Sequence, residues 1–508
     1  MPRAWFPIFL VGATACAVYA ITLGGTFIYD DVAHVVKNPK LTAGNPFWLI
    51  LTTRYNDGED NLYRPIVSLS FLIQYRLHGT LAWPYHLVNL LLHAWVSMGV
   101  ALLAFRISSV ATAGNAAAVA LLSGLYFAVH PIHVEAVAGI VGRAELLCTL
   151  AIVLAMGRLF RPMNPAGVAL VLSCTLVAIF SKEQGLLMPA LLGAVWIALR
   201  RARQLPVPTD ERLPGLTAAG VCFICAIYIA VRQQYFKFDW DRSFLDWTIN
   251  PIIRADPLDR WLIPLELAGR YVLSLVAPWH LSIDYGHAVI TPDFRWNQPF
   301  PWIGMLAMLT IGVAIVWAYR CRQAPWLILL SALAMSVALV LNLIVVIGTI
   351  YGERLMYLPS VFFCIAVALL IERRRWSRAL LCVVIVVLAG RSVWYADEWD
   401  DRLSFYALSH ERQPRSLRIV LLYADELLAQ SRVDEAVKVL ERGIEIEPRY
   451  HELYYHRARI ELRAGRFDVA RQWINRAISI SPDVRADLWM GAIDAAEQRA
   501  RESADPPE

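Results

Sequence analysis

The sequence predicts an all-α protein in two parts, a polytopic transmembrane helical domain followed by an α-solenoid. Three observations carry this. Of the 508 residues, 58% are hydrophobic, and the mean hydropathy of +0.48 exceeds what the roughly half-apolar composition of soluble domains produces. Apolar runs of about twenty residues, the length that crosses a bilayer, recur as far as residue 394. Beyond Arg391 the composition turns polar, and Pro414, Pro448 and Pro482 follow one another 34 residues apart. The net charge of +5 is small for this length and points away from nucleic acid as a partner.

The runs lie near 5–26, 86–105, 115–130, 143–160, 164–181, 184–199, 213–232, 301–319, 325–346, 355–371 and 377–394. The first is too long for a signal-peptide core and lacks a small-x-small cleavage site, so it is read as a retained span. Arg106, Arg158, Arg161, "RRAR" at 200–203, Arg320, Arg322 and "ERRRWSR" at 372–378 fall on alternate connections. Basic short loops mark the cytoplasmic side. About eleven crossings then put the N-terminus inside and the C-terminus outside. The segment 258–279 is helical and amphipathic but carries Glu266 and Arg270, which predicts an interfacial or re-entrant helix rather than a crossing. The eight cysteines lie in or beside apolar runs. Cys222 and Cys225, in "AAGVCFICAIYIAV", belong to a span and not to a redox motif.

The tail has an internal period. At 34 residues Ala424 matches Ala458, Ala436 matches Ala470, Leu440 matches Ile474 and Ile444 matches Ile478. Helix–turn–helix units of this length, with small residues where helices pack closely, are tetratricopeptide (TPR) repeats. The reading is a membrane domain over 1–395, a linker over 396–413 and a TPR domain over 414–508, with about two repeats and a capping helix from 483. Its groove would hold an acceptor polypeptide, or the repeats brace the membrane domain. The acidic "YADEWDDR" at 395–402 caps the first tail helix.

Polar residues are costly in a membrane, so where they collect is informative. Here they gather at the outer ends of the spans: Asp30, Asp31, His34, Arg64, His86, His130, His133, Glu135, Arg143, Glu145, Lys182, Glu183, Glu353 and Arg354. A coupled transporter would place charge near mid-span on broken helices, so a site at the outer face is favoured over a conduction path. "FIYDDVAHVVKNP", 27–39, leaves the first span with two adjacent carboxylates. They are either an interfacial cap or an acid/base centre. Neighbouring side chains point about 100° apart on a helix, so one aspartate faces any pocket while the other caps or orients backbone. His130-x-x-His133-x-Glu135 suits a divalent ion by residue type. The spacing is not H-E-x-x-H, however, and Pro131 breaks a simple helix between the histidines, so hydrogen bonding within the polar layer is the preferred role. Lys182 and Arg354 are natural counter-charges for a lipid phosphate.

Taken in order, "YDD…NP", "YRPIVSLSF", "PYHLVNLLLHAWVS", "HPIHVEAVAGIVGRAELL", "SKEQGL", "HLSIDY" and "GERLMYLPS", with TPR repeats behind them, resemble the transmembrane O-mannosyltransferases with C-terminal TPR repeats, within the GT-C class of glycosyltransferases. The short repeat array suggests a bacterial member, placed in the plasma membrane, or in the endoplasmic reticulum membrane if eukaryotic. The resemblance implies a polyprenyl-phosphate sugar donor of mannose type, a protein serine or threonine acceptor at the extracytoplasmic face, and inversion at the anomeric carbon. It implies that Asp30 or Asp31 is the catalytic base. Arg64, Arg143, Lys182 or Arg354 would bind the donor phosphate, and His86, His130, His133, Glu135, Glu145, Glu183 and Glu353 would form the polar layer around them. Some GT-C enzymes use a divalent metal ion and others do not, which leaves the cofactor open. The competing readings are a non-catalytic TPR scaffold for envelope or pilus assembly and a lipid-linked glycan ligase or flippase.

Overall fold

A computed structural model of the chain describes residues 5–42, 44–55, 62–110, 115–236, 247–481 and 485–504. Pro482, the third of the periodic prolines, and residues 237–246 of the long connection lie outside them. The described residues are helical throughout their regular elements. In chain order the main helices are α1 (Trp5–Tyr19), α2 (Pro65–His78), α3 (Trp83–Ser109), α4 (Ala116–Ala128), α5 (Arg143–Arg158), α6 (Pro165–Ser181), α7 (Met188–Arg201), α8 (Leu213–Phe236), α9 (Asp259–Val276), α10 (Pro299–Arg320), α11 (Ala324–Val340), α12 (Tyr357–Ile371), α13 (Arg375–Asp397), α14 (Arg402–Arg412), α15 (Leu417–Ala429), α16 (Val433–Ile446), α17 (His451–Arg463), α18 (Phe467–Ile480) and α19 (Arg485–Ala504).

Every apolar run forms a helix, yet they differ in reach. Among the described residues seven helical segments are long and apolar enough to cross a membrane: Pro7–Gly24, Trp83–Ser109, Ile140–Arg158, Leu213–Tyr235, Pro299–Arg320, Glu353–Ile371 and Arg375–Asp397. An eighth arises if Ala116–Ala128 and Pro131–Ala138, bent by 53°, count as one span. The bend falls at Pro131, whose missing N–H and bulky ring stop helix propagation. The runs at 164–181, 184–199 and 325–346 become helices of 17, 14 and 17 residues. At 1.5 Å per residue these reach about 21–26 Å, short of a hydrocarbon core of about 30 Å. By length and composition the described residues thus hold seven or eight candidate spans beside the eleven crossings expected, and the remaining runs form shorter apolar helices.

The chain divides into two compact units, Met1–Leu245 with Ile252–Ile283 and Pro292–Asp401, and Asp246–Pro251 with Asp284–Thr291 and Arg402–Glu508. At the centre of the first, α3 buries residues along its whole length. The ambiguous segment 258–279 is α9, an amphipathic helix with Pro264 inside it and an Arg270–Glu266 ion pair of 2.7 Å. It lies outside the set that passes as spans and packs closely against α10. A Cβ on Gly304 would stand 1.9 Å from the carbonyl oxygen of Leu265, and one on Gly269 would stand 2.0 Å from that of Phe300. Only glycine permits backbones to approach this closely.

In the second unit α15–α16 and α17–α18 repeat the same lengths at an offset of 34 residues. The small residues Ala424, Ala436, Ala458 and Ala470 are buried where the helices meet, with Leu440, Leu453 and Ile474 filling the core. Helix α14 occupies most of the stretch expected to be a linker. Two pieces of the long connection also belong here. Trp247 packs on the repeat core with its ring centroid 4.7 Å from that of His287, His287 Nε2 lies 3.0 Å from Glu447 Oε2, and Ser416 Oγ donates to Asp284 Oδ2 at 2.7 Å.

The α9–α10 contact generates a test. Gly304→Ala should destabilise the detergent-purified protein by about 1–3 kcal/mol, the usual cost of overpacking. Gly312→Ala, on the same helix with nothing within 4 Å of its Cβ position, should not. Thermal melting of the two variants beside the parent checks this.

Candidate functional site

The two aspartates do different things. Tyr29, just before them, has φ of 58°, a left-handed conformation that costs a side-chain-bearing residue about 1–2 kcal/mol. It turns the chain as it leaves α1. Asp31 then points inward, 1% exposed, where Oδ1 accepts the N–H of Val141 at 2.9 Å and Oδ2 that of Ile28 at 3.4 Å. It ties the outgoing chain to the turn before α5. Burial pushes the Asp31 carboxyl up to about 7, although the N–H groups of Val141, Ile140 and Ile28 oppose the rise. Asp30 points the other way. Its Oδ2 accepts from Arg354 Nη2 at 3.0 Å, and its backbone carbonyl accepts from His34 Nδ1 at 2.8 Å.

Arg354 joins three segments distant in sequence. Its backbone N–H donates to Glu135 Oε2 at 2.8 Å, its Nε lies 3.3 Å from Glu135 Oε1 and 4.0 Å from Glu145 Oε1. Glu145 in turn pairs with Lys182. Arg64 forks onto Glu183 with contacts of 2.7 and 3.3 Å. The layer thus sets three cations, Arg64, Lys182 and Arg354, against four carboxylates, Asp30, Glu135, Glu145 and Glu183. Asp30, Arg64, Glu183 and Arg354 keep 15–23% of their side chains exposed, whereas Glu135, Glu145 and Lys182 keep 7% or less. The first four form an accessible rim and the other three support it from within. Burial alone would raise Glu183, but Arg64 and Arg232 outweigh it and hold the carboxyl at about 2. Glu183 is therefore ionised near neutral pH.

Other expected members of the layer are placed elsewhere. Arg143 is 1% exposed and each guanidinium nitrogen has a partner: Nε donates to Asn89 Oδ1 at 3.0 Å, Nη1 to Ser70 Oγ at 3.1 Å and Nη2 to the carbonyl of Tyr85 at 3.1 Å. Stacked over Phe71 at 4.6 Å, it braces α2, α3 and α5, away from the accessible rim where the expected phosphate-binding role would place it. His130 and His133 are fully buried. His130 Nε2 meets the carbonyl of Leu275 at 2.9 Å, and His133 lies between the carbonyl of Phe127 at 2.9 Å and Ser360 Oγ at 2.7 Å. His86 is buried against Gly25. Glu353, fully buried, accepts the N–H of Ser282 at 2.6 Å and the hydroxyl of Tyr395 at 3.3 Å. His130, His133 and Glu353 lock loops to helices, and none of the four joins the rim.

The donor set does not fit a divalent ion. Among the described residues no three His, Cys, Asp or Glu side chains gather as ligands. Asp30 and Glu135 converge on a guanidinium, and the two histidines turn to backbone carbonyls and a serine.

One residue packed beneath the rim escaped sequence reasoning. Tyr55 is 4% exposed, its ring lies 4.8 Å from that of His34, and the Arg64 guanidinium sits over it at 5.4 Å. Its hydroxyl is buried with no hydrogen-bond partner among the described residues. No motif spacing marks it, since only the fold of the first outer connection brings it beside the aspartates.

A helical membrane domain with a layer of paired charge at one end of its spans, followed by helical repeats, defines the class: an integral membrane protein with a TPR tail. Residues 421–485 match the family model described as tetratricopeptide repeat. Beyond the tail, the chain is 26% identical over 454 residues to a protein O-mannosyl-transferase of Caenorhabditis elegans, covering 85% of this chain and 62% of the relative. It is 26% identical over 486 residues to the Homo sapiens protein O-mannosyl-transferase TMTC4, covering 80% and 62%. It is 31% identical over 304 residues to the Mus musculus protein O-mannosyl-transferase TMTC2, covering 54% and 34%. The chain is thus similar over most of its length to proteins named protein O-mannosyl-transferase, as the motif order led one to expect, and spans about three-fifths of the length of the first two. No solved structure matches it.

Two outcomes follow from this geometry. Asp31 has its carboxyl raised by the fold, so the stability it contributes as a neutral acid is full below about pH 4 and is lost as pH rises through about 7, at about 1.4 kcal/mol per unit. The parent's melting temperature should therefore fall relative to that of Asp31→Asn between about pH 4 and 7, and the difference should stay constant above that. Arg143→Ala strands Asn89, Ser70 and the Tyr85 carbonyl, and should cost about 1–3 kcal/mol for each group left unsatisfied, read as lost folded yield on size-exclusion chromatography.

Proposed function

We propose that this protein is a membrane glycosyltransferase that moves a mannose-type sugar from a polyprenyl-phosphate donor to a serine or threonine hydroxyl of a polypeptide at the extracytoplasmic face. The names of its relatives support the reaction class. The single observation that carries the assignment of roles is the division between the aspartates: Asp31 is spent on backbone N–H groups, and Asp30 stands at the accessible rim with Arg354.

In this reading Asp30 is the general base. It takes the proton from the acceptor hydroxyl, and that oxygen bonds to the anomeric carbon. The bond from the same carbon to the phosphate oxygen breaks on the opposite side, so configuration inverts and polyprenyl phosphate departs. Arg354 and Arg64, the accessible cations, offset charge growing on the leaving phosphate; donors positioned where charge develops are a large share of catalysis. Lys182, Glu145 and Glu135 are positioning residues that keep Arg354 aimed. The Tyr55 hydroxyl donates to a donor oxygen. Basic connections at the opposite ends of the spans, such as Arg106, Arg158 and Arg373, support an extracytoplasmic site by charge bias. The TPR unit offers an acceptor-binding surface.

The test is mannose transfer from synthetic polyprenyl-phosphate mannose to acceptor protein in membranes. Asp30→Asn should lower the rate by roughly 10²–10⁴-fold, the usual worth of a general base, with membrane insertion retained. Asp31→Asn should retain most of the rate. Tyr55→Phe should raise KM more than it lowers kcat. Transfer that survives Asp30→Asn would remove Asp30 as base, and a parent without transfer from this donor would move the assignment toward a TPR scaffold.

A further inference from the structure

The spans carry a second site at the end opposite to the charge layer. Arg354 lies at the start of the segment Glu353–Ile371 and Arg373 follows its last turn, about 28 Å away along the helix at 1.5 Å per residue. There a cavity of about 590 Å³ opens between α10, α11 and α12, within the size range of small-molecule sites. Trp317, Pro325, Trp326, Leu330 and Leu369 make its apolar wall, and Arg373 stands on its lining.

Charge at this level is one-sided. Arg320 and Arg322 follow the helix that supplies Trp317, and Arg373, Arg374 and Arg375 follow the one that supplies Leu369; all five are exposed. None of their side chains makes a hydrogen bond or ion pair among the described residues. The one carboxylate on the lining, Glu372, is buried and already accepts the backbone N–H of Asn115 at 3.2 Å. It holds the start of α4 and leaves Arg373 unopposed.

We propose that this cavity is a binding site for an anionic phospholipid. An apolar hollow facing the bilayer is filled by acyl chain, and tryptophans belong at the interface where the chain meets the headgroup. The phosphate lies against Arg373. Five unpaired cations repel the ammonium of a zwitterionic headgroup and favour one without it. Basic pockets between transmembrane helices take anionic headgroups on this physical ground. The assignment is independent of the reaction at the other face.

Native mass spectrometry of the full chain in detergent, offered equal phosphatidylglycerol and phosphatidylcholine, tests it. The parent should retain phosphatidylglycerol in preference, and Arg373→Ala should lose roughly fivefold of that preference, the share of one cation at an anionic surface, with melting temperature kept. Leu330→Trp, which leaves every charge in place and fills the hollow, should reduce retention of both lipids; it carries the test if Arg373→Ala fails to fold. Equal retention of the two lipids by the parent, or an unchanged preference in Arg373→Ala, overturns the proposal. Inorganic phosphate displacing phosphatidylglycerol from the parent at millimolar concentration also overturns it, because the site would then recognise a free anion and not a lipid.

Discussion

Arg354 sits where the chain re-enters the apolar domain, and a guanidinium at that depth must be paired. Its partners come from three remote parts of the sequence: Asp30 after the first span, Glu135 after the Pro131 bend and, at longer range, Glu145 at the start of α5. Removing one partner from such a group leaves an uncompensated buried charge, which costs several kcal/mol. The arrangement therefore holds together only if α1, the bent helix, α5 and α12 end at a common level. That shared level is what makes a site at one face of the domain.

Around this anchor the charges fall into two shells with different accessibility. Lys182 and Glu145 neutralise one another out of solvent, and Glu135 takes both the backbone and the side chain of Arg354. The rim keeps Asp30, Arg64, Glu183 and Arg354 partly exposed. A rim of paired but reachable charge is suited to a substrate that carries its own phosphate, since the incoming anion exchanges with an existing partner instead of entering an empty field. The left-handed φ of Tyr29 lies directly before the two aspartates, whose adjacent side chains then diverge to opposite environments.

Much of this was legible in the sequence, and the illegible parts share a cause. Residue type and depth were enough to name Asp30, Asp31, Arg64, Lys182, Glu183 and Arg354 as members of one polar level. The same argument swept in Arg143, His130, His133 and Glu353, because a buried polar group that braces helices carries the same sequence signature as one that faces a ligand. Only their partners tell them apart: Asn89, Ser70 and Tyr85 for the arginine, backbone carbonyls and Ser360 for the histidines, Ser282 and Tyr395 for the glutamate. Tyr55 is the converse case, silent in sequence and placed by the fold beside Arg64 and His34.

By itself, the sequence determined what depends on local composition and period. Helices follow from apolar runs, the repeat tail from a 34-residue recurrence, and the polar level from charges at the ends of spans. Tertiary structure decided what depends on meeting across the chain. It set the length at which each apolar run stops, and it made Trp247 and His287, far from the tail in sequence, part of the repeat unit's packing. It also separated Asp30 from Asp31. A run or a period is a property of neighbours along the chain, whereas the role of a carboxylate is set by the donor that reaches it, and for Asp31 and Asp30 those donors lie 110 and 324 residues away.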